Sequence, residues 1–395
     1  MNMLETRSAA VPHEPTASIA IASRRLVLAD RVVPGTVVVQ NGLIVAIEED
    51  RILADALDFG DDLVIPGLIE LHTDHIEPHY SPRPKVFWKP FSAVFAYDAQ
   101  IAAAGITTVF DSLRAGSDAD RQSLGAGLFA LGEAIERART TGLLRVDHHT
   151  HLRCEICAED VLDEARAYLE RFDVRLLSLM DHTPGQRQFR NEEKLRDYYR
   201  GKSPDKSEAQ LEAFFERRKE LHSRLSEEHR RALVDLAKAR SIALASHDDT
   251  TEAHVVESLA DGVSVAEFPT TVEAARASHA AGLAVLMGAP NVVRGGSHSG
   301  NVSAIELAEA GVLDILSSDY VPVSLIEGAF ELAGVAAVGG LAGAIRTVTL
   351  NPAEATGMFD RGEIALAKRG DLVRVAEVEG HPVVREVFRL GRRVS

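Results

Sequence analysis

Two residues set two positions apart, His72 and Asp74, have the types and spacing of half a metal site. They close the run Val64-Ile-Pro-Gly-Leu-Ile-Glu-Leu-His-Thr-Asp74, which is apolar and strand-forming up to its last residues. Side chains i and i+2 of a strand share a face, so one strand end would present an imidazole beside a carboxylate. A strand that merely ends in polar residues has the same look. What decides between the two is whether other strand ends answer it.

Several do. Apolar runs further along end at Asp111, at Asp147-His-His-Thr-His-Leu-Arg-Cys-Glu155, at Asp181-His182, at Ser246-His-Asp-Asp249, at Glu267 and at Ser318-Asp319-Tyr320. A single histidine after a strand is usually a hydrogen-bonded loop residue. Mixed imidazoles and carboxylates at many strand ends suit a divalent ion, Zn first and Mn or Fe as alternatives, with positions left open for water. Two such ions, about 3.5–4 Å apart, would clamp an in-line displacement.

Positioning these ends requires strands that all point one way. Apolar strands are expected at Leu63–Leu71, Ile106–Leu113, Leu143–His151, Val174–Met180, Ile242–Ser246, Val263–Phe268, Leu283–Met287 and Leu313–Ser317. Helical stretches separate them, several ending at a glycine (Gly105, Gly142, Gly282, Gly311), as helices commonly do. Eight β/α units predict an α/β fold, a TIM-type (β/α)8 barrel over residues 66–349, with chemistry at the C-terminal strand ends. A doubly wound sheet is the alternative. Residues 186–239 are too long and too charged for one unit and predict an inserted helical arm, with Lys202, Arg217, Arg218 and Lys219 facing solvent. Short β-rich stretches at both ends, including an Asn41-Gly42 hairpin signal, predict a small β-sandwich domain from 18–65 plus 350–395. Residues 1–17 read as a flexible leader.

The chain has 395 residues, 46% of them hydrophobic, enough for a large core. Lys plus Arg number 43 and Asp plus Glu 59, a net charge of −16, which argues against nucleic-acid binding. The two cysteines, Cys154 and Cys157, supply no disulfide framework. No stretch approaches the ~18 apolar residues of a membrane helix, and no signal core is evident. A cytoplasmic protein without a membrane or nucleic-acid partner is expected; a homo-oligomer is left open.

The Pro66-Gly67-Leu-Ile-Glu-Leu-His72-Thr-Asp74 segment, the β/α repeat and Asn351-Pro-Ala-Glu-Ala-Thr-Gly357 resemble the amidohydrolase superfamily of metal-dependent hydrolases. Finer motifs resemble its PhnM family, from phosphonate utilisation by the C–P lyase pathway. These are His72-Thr-Asp-His-Ile-Glu77 with Pro82-Arg-Pro-Lys85, His151-Leu-Arg-Cys-Glu155, Met180-Asp-His-Thr-Pro-Gly-Gln186, Glu267-Phe-Pro-Thr-Thr271 and Gly288-Ala-Pro-Asn-Val-Val-Arg-Gly-Gly-Ser-His-Ser-Gly-Asn301. The resemblance implies hydrolysis of α-D-ribose 1-methylphosphonate 5-triphosphate to the 5-phosphate and pyrophosphate. A deaminase or cyclic amidase of the same superfamily is the alternative.

It further implies one or two divalent ions held by His72, Asp74, Glu155, His182, His247 and Asp319, with Asp319 orienting and deprotonating the attacking water. Glu155 and Glu267 are rivals for a bridging role, and His149-x-His151 is a further rival. A small anionic sugar-phosphate substrate in so acidic a chain needs local cations. Arg83, Lys85, Arg187, Arg294 and His298 are expected to bind it, the last two in a Gly-rich loop whose N–H groups can cradle phosphate.

Overall fold

A computed structural model describes residues 18–116, 122–189, 193, 195, 196, 200, 207–297 and 300–395. The leader expected over 1–17 lies outside them. Eight parallel strands form one sheet in chain order: β6 (Leu68–Thr73), β7 (Ile106–Ala115), β8 (Asp147–Glu155), β9 (Leu176–Met180), β10 (Ala243–His247), β11 (Val265–Glu267), β12 (Ala284–Gly288) and β13 (Ile315–Ser317). A parallel bridge between Thr73 and Asp319 brings the last strand back to the first, so the barrel is nearly closed.

All eight expected barrel strands are present, with two informative shifts. The run Leu63–Leu71 is not one strand. It breaks at Gly67 into β5 (Leu63–Pro66), which joins the terminal sheet, and β6. A Cβ at Gly67 would lie 2.2 Å from Thr107 Oγ1, so only glycine lets the chain cross between the sheets here. The third strand begins four residues later than expected and runs through Glu155. That moves Arg153 and Glu155 into the strand itself.

The barrel interior is a layer of apolar side chains, among them Ile69, Leu71, Phe110, Leu176, Ala245, Val265, Leu286 and Ile315, as filled barrels require. Ala353 and Met358 close its floor, so this part of the expected 350–395 segment packs with the barrel. The outer layer includes α1 (Ile76–Tyr80), α2 (Pro90–Ala103), α3 (Gln122–Thr140), α4 (Val161–Arg171), α5 (Glu208–Ala239), α6 (Glu252–Asp261) and α7 (Val272–Ala280).

Strands β1 (Ile19–Val27), β2 (Val32–Gln40), β3 (Leu43–Glu49), β4 (Leu57–Asp58) and β5 join β14 (Leu372–Val378), β15 (His381–Arg389) and β16 (Arg392–Arg393) in a second, mostly antiparallel sheet from both chain ends. It curls over its own core of Ile21, Leu26, Val37, Ile44, Leu372 and Phe388, and the Gly370 and Gly391 backbones meet across the fold.

Within the charged arm, α5 is opened by a Ser207–Gln210 capping box. Its C-terminal half, with Leu233, Val234 and Ala237 buried, is the wall helix between β9 and β10. Its N-terminal half reaches the C-terminal ends of β8 and β9. Arg218, expected in solvent, is buried there and lies 3.6 Å from Glu155, whereas Arg217 and Lys219 face outward. Lys202 lies outside the described residues.

Candidate active site

At the C-terminal strand ends lies a cavity of about 340 Å³ lined by His72, Asp74, Arg153, His182, His247, Asp248, Phe268, Arg294 and Asp319, among others. In β6, Ile69 and Leu71 belong to the barrel's apolar layer, and a register shift between Glu70 and Thr73 lets His72 face the cavity as well. Alternation along β8 points His151, Arg153 and Glu155 the same way at increasing height.

Each imidazole at the rim is steered by a carboxylate. Glu155 Oε2 accepts from His182 Nδ1 at 2.6 Å, and its other oxygen accepts from the His182 backbone N–H at 3.1 Å. Glu267 takes two rings: His72 Nδ1 at 3.0 Å and His247 Nδ1 at 3.2 Å. Nδ1 held by a carboxylate aims Nε2 at the cavity, as it does in metal-bound histidines. His247 Nε2 lies 3.5 Å from Asp248 Oδ2 and His182 Nε2 4.0 Å from the same atom. Asp248 Oδ2 is itself buried without a hydrogen-bond partner among the described residues. His182, His247 and Asp248 thus converge, and His72, His247 and Glu267 form an overlapping group.

The electrostatics match a ligand set. Burial drives His247 down to about 3, and lowers His72 and His182, so the rings are neutral. Burial raises Asp248 well above the usual carboxylate range. Asp319 is pushed up to about 7, by burial first and by the charge of Asp74 second. Glu155 behaves oppositely. Burial works against its charge, but His182, Arg114 at 2.8 Å and Arg218 outweigh it and hold the carboxyl low.

The backbone is strained where these side chains turn inward. Asp248, Phe268 and Asp319 each follow a strand end with φ of 58°, 53° and 54°. That is a left-handed conformation, uncommon for Asp and rarer for Phe, and such residues cluster at functional sites. It sets the Phe268 ring edge-on to His72 and His247, at 4.9 and 5.4 Å.

Of the residues expected from sequence, His72, Asp74, His182, His247, Asp319 and Arg294 line one cavity. Glu155, expected as a bridging ligand, bonds the His182 ring, and its rival Glu267 bonds two rings. Arg187 is buried away from solvent, paired with Asp249 and with Glu257 at 3.2 Å, because α6 delivers a carboxylate to it. Arg83 and Lys85 sit exposed on the loop after α1, off the cavity lining. His298 lies outside the described residues. The tandem histidines part company: His149 opens toward the opposite end of the barrel beside Asp147, and His151 packs beneath His72, bonded to the Leu71 carbonyl at 2.9 Å.

Three residues of the site carry little signal in the sequence. Asp248 is one of two adjacent aspartates at a strand end, and spacing does not say which faces the cavity. Arg153 lies midway between His151 and Glu155, on the inward face, 3.6 Å from Asp74. Its even spacing from both is the clue to its direction. Glu70 lies two residues before His72, across a shift in the strand's pairing register. It accepts from the His72 N–H at 2.6 Å and from Ser317 Oγ at 2.7 Å, joining β6 to β13.

No family model matches the chain. It is 47% identical over 372 residues to the α-D-ribose 1-methylphosphonate 5-triphosphate diphosphatase of Escherichia coli (strain K12), covering 94% of this chain and 98% of that one. Among solved structures it resembles 5-methylcytosine deaminase from Klebsiella pneumoniae, with a TM-score of 0.64 at 14% identity over 95% of this chain and 98% of that one. It also resembles N-acetyl-D-glucosamine-6-phosphate deacetylase from Mycobacterium smegmatis, with a TM-score of 0.62 at 15% identity over 95% and 100%. At such identities the two structures speak for the fold alone.

Proposed function

Since the chain belongs to the PhnM family of the amidohydrolase superfamily, we propose that it hydrolyses α-D-ribose 1-methylphosphonate 5-triphosphate to the 5-phosphate and pyrophosphate. The observation that carries this is the 47% identity spread over nearly all of both chains. Deamination is the poorer reading, because a neutral base gives Arg153 and Arg294 nothing to neutralise.

The donor set fits a divalent cation. His72, His182, His247 and Asp248 would hold it, with Asp319 and Asp74 across the cavity; neutral imidazoles and a buried carboxylate oxygen in want of a partner are what such an ion requires. Zinc suits these ligands best, with Mn or Fe as alternatives. Bound there, it supplies Lewis acidity toward phosphate oxygens and water.

The protein groups do the rest. Asp319 accepts the proton of the water that adds across the α–β phosphoanhydride, while the bond to pyrophosphate breaks. Arg153 and Arg294, both in the cavity lining, balance the oligophosphate charge and that of the departing pyrophosphate. Phe268 packs the rings and excludes water from behind them. Glu155 and Glu267 hold tautomers rather than touch substrate. A cytoplasmic location belongs to the same reading; no helix among the described residues is long and apolar enough to cross a membrane.

Incubation of the metal-loaded protein with the triphosphate, followed by phosphorus NMR, tests the proposal. Pyrophosphate and the 5-phosphate are expected in equal amounts. Orthophosphate alone, or no turnover by fully loaded protein, overturns it.

A further inference from the structure

We infer that Cys157, Asp181 and His222 form a second transition-metal site, of the zinc class, separate from the catalytic cavity. The three donors come from three elements: Cys157 follows β8, Asp181 follows β9, and His222 projects from α5. Cys157 Sγ lies 3.2 Å from Asp181 Oδ1 and 3.7 Å from His222 Nδ1, and His222 Nδ1 lies 2.9 Å from Asp181 Oδ2. A tetrahedral ion with bonds of about 2.3 Å to sulfur and about 2.0–2.2 Å to nitrogen and oxygen separates its donors by about 3.3–3.6 Å, within roughly half an ångström of these distances.

None of the three lines the catalytic cavity. Cys157 and Asp181 are buried while His222 is half-buried, which leaves the ion a way in, and the Thr183 hydroxyl lies 3.3 Å from Cys157 Sγ. Thiol, carboxylate and imidazole together select Zn²⁺ over hard cations such as Mg²⁺. Without metal the thiol donates to Asp181; a cation displaces that proton. The ion would clip the N-terminal half of α5 to the ends of β8 and β9, beside Glu155 and His182.

Cobalt(II) distinguishes this site from the catalytic one, because only a thiolate gives a sulfur-to-cobalt charge-transfer band in the near ultraviolet. The only other cysteine, Cys154, is fully buried in the apolar core. The full chain, stripped with chelator and reloaded with Co²⁺, is expected to show the band and to bind one more ion than Cys157→Ser. His222→Ala, altered at a half-buried position that leaves the core intact, is expected to lose the band at the cobalt concentration that saturates wild type. Saturated wild type without the band, or a band that survives in Cys157→Ser, overturns the inference. Neither readout depends on the hydrolytic reaction.

Discussion

Glu155 holds His182 at two points, its ring Nδ1 at 2.6 Å and its backbone N–H at 3.1 Å. A carboxylate so engaged, and clasped by Arg114 and Arg218, sets the ring's tautomer and direction. Glu155→Gln is therefore expected to weaken metal affinity by about 10–100-fold, the usual cost of losing an outer-shell partner, with full stoichiometry restored at high metal. Equilibrium metal titration checks this. A site that stays short of metal at saturation would make Glu155 a ligand after all.

Asp319→Asn is expected to fold normally and lose turnover by about 10²–10⁴-fold, the range for a general base. A second readout separates that role from simple charge loss. With its carboxyl pushed up to about 7 before metal binds, Asp319 is partly protonated at neutral pH, and metal uptake must release that proton. Calorimetry in buffers of different ionisation enthalpy should find fewer protons released by Asp319→Asn. Equal release in both proteins would assign the proton elsewhere.

Arg153 and Arg294 are cations that face the cavity. Charge-assisted hydrogen bonds contribute about 1.5–3 kcal/mol, so Arg153→Met or Arg294→Met should lower kcat/KM about 10–100-fold. Arg187→Met should act differently, through stability, because its partners are Asp249 and Glu257. Steady-state kinetics alongside denaturation midpoints tell these outcomes apart.

His148 is sealed between Asp111 at 2.9 Å and Asp98 at 3.4 Å. Burial lowers its pKa, but the two carboxylates outweigh burial and push it up to about 9. The unfolded chain binds that proton with a pKa of about 6.5. The contribution to stability is thus complete below about 6.5 and lost as pH rises through about 9. Denaturant midpoints should fall across that window in wild type and vary less in His148→Gln, which should be the less stable at pH 6.

The barrel is legible in the sequence because its strands are apolar runs bounded by glycine and charge. His72, His182, His247 and Asp319 stand out because each is a polar group at the end of such a run, where a barrel opens to its ligand. The division of labour among them is not legible. Spacing puts Glu155 and Glu267 at strand ends, but which ring each carboxylate reaches depends on how neighbouring strands stagger. Arg153 is hidden because the expected strand ends at His151, whereas β8 runs on through Glu155. Arg187 follows a Pro-Gly turn and looks available to substrate; the carboxylates that claim it come from residues some sixty to seventy positions away.

Glu70 links the first barrel strand to the last, through the His72 N–H, Ser317 Oγ and the Ser318 N–H. The joint that shuts the cylinder and the mount that steadies a cavity-facing ring are therefore one side chain. Thermal wear at that seam would be felt as lost activity before it was felt as lost fold, so heat inactivation of this enzyme should precede its melting.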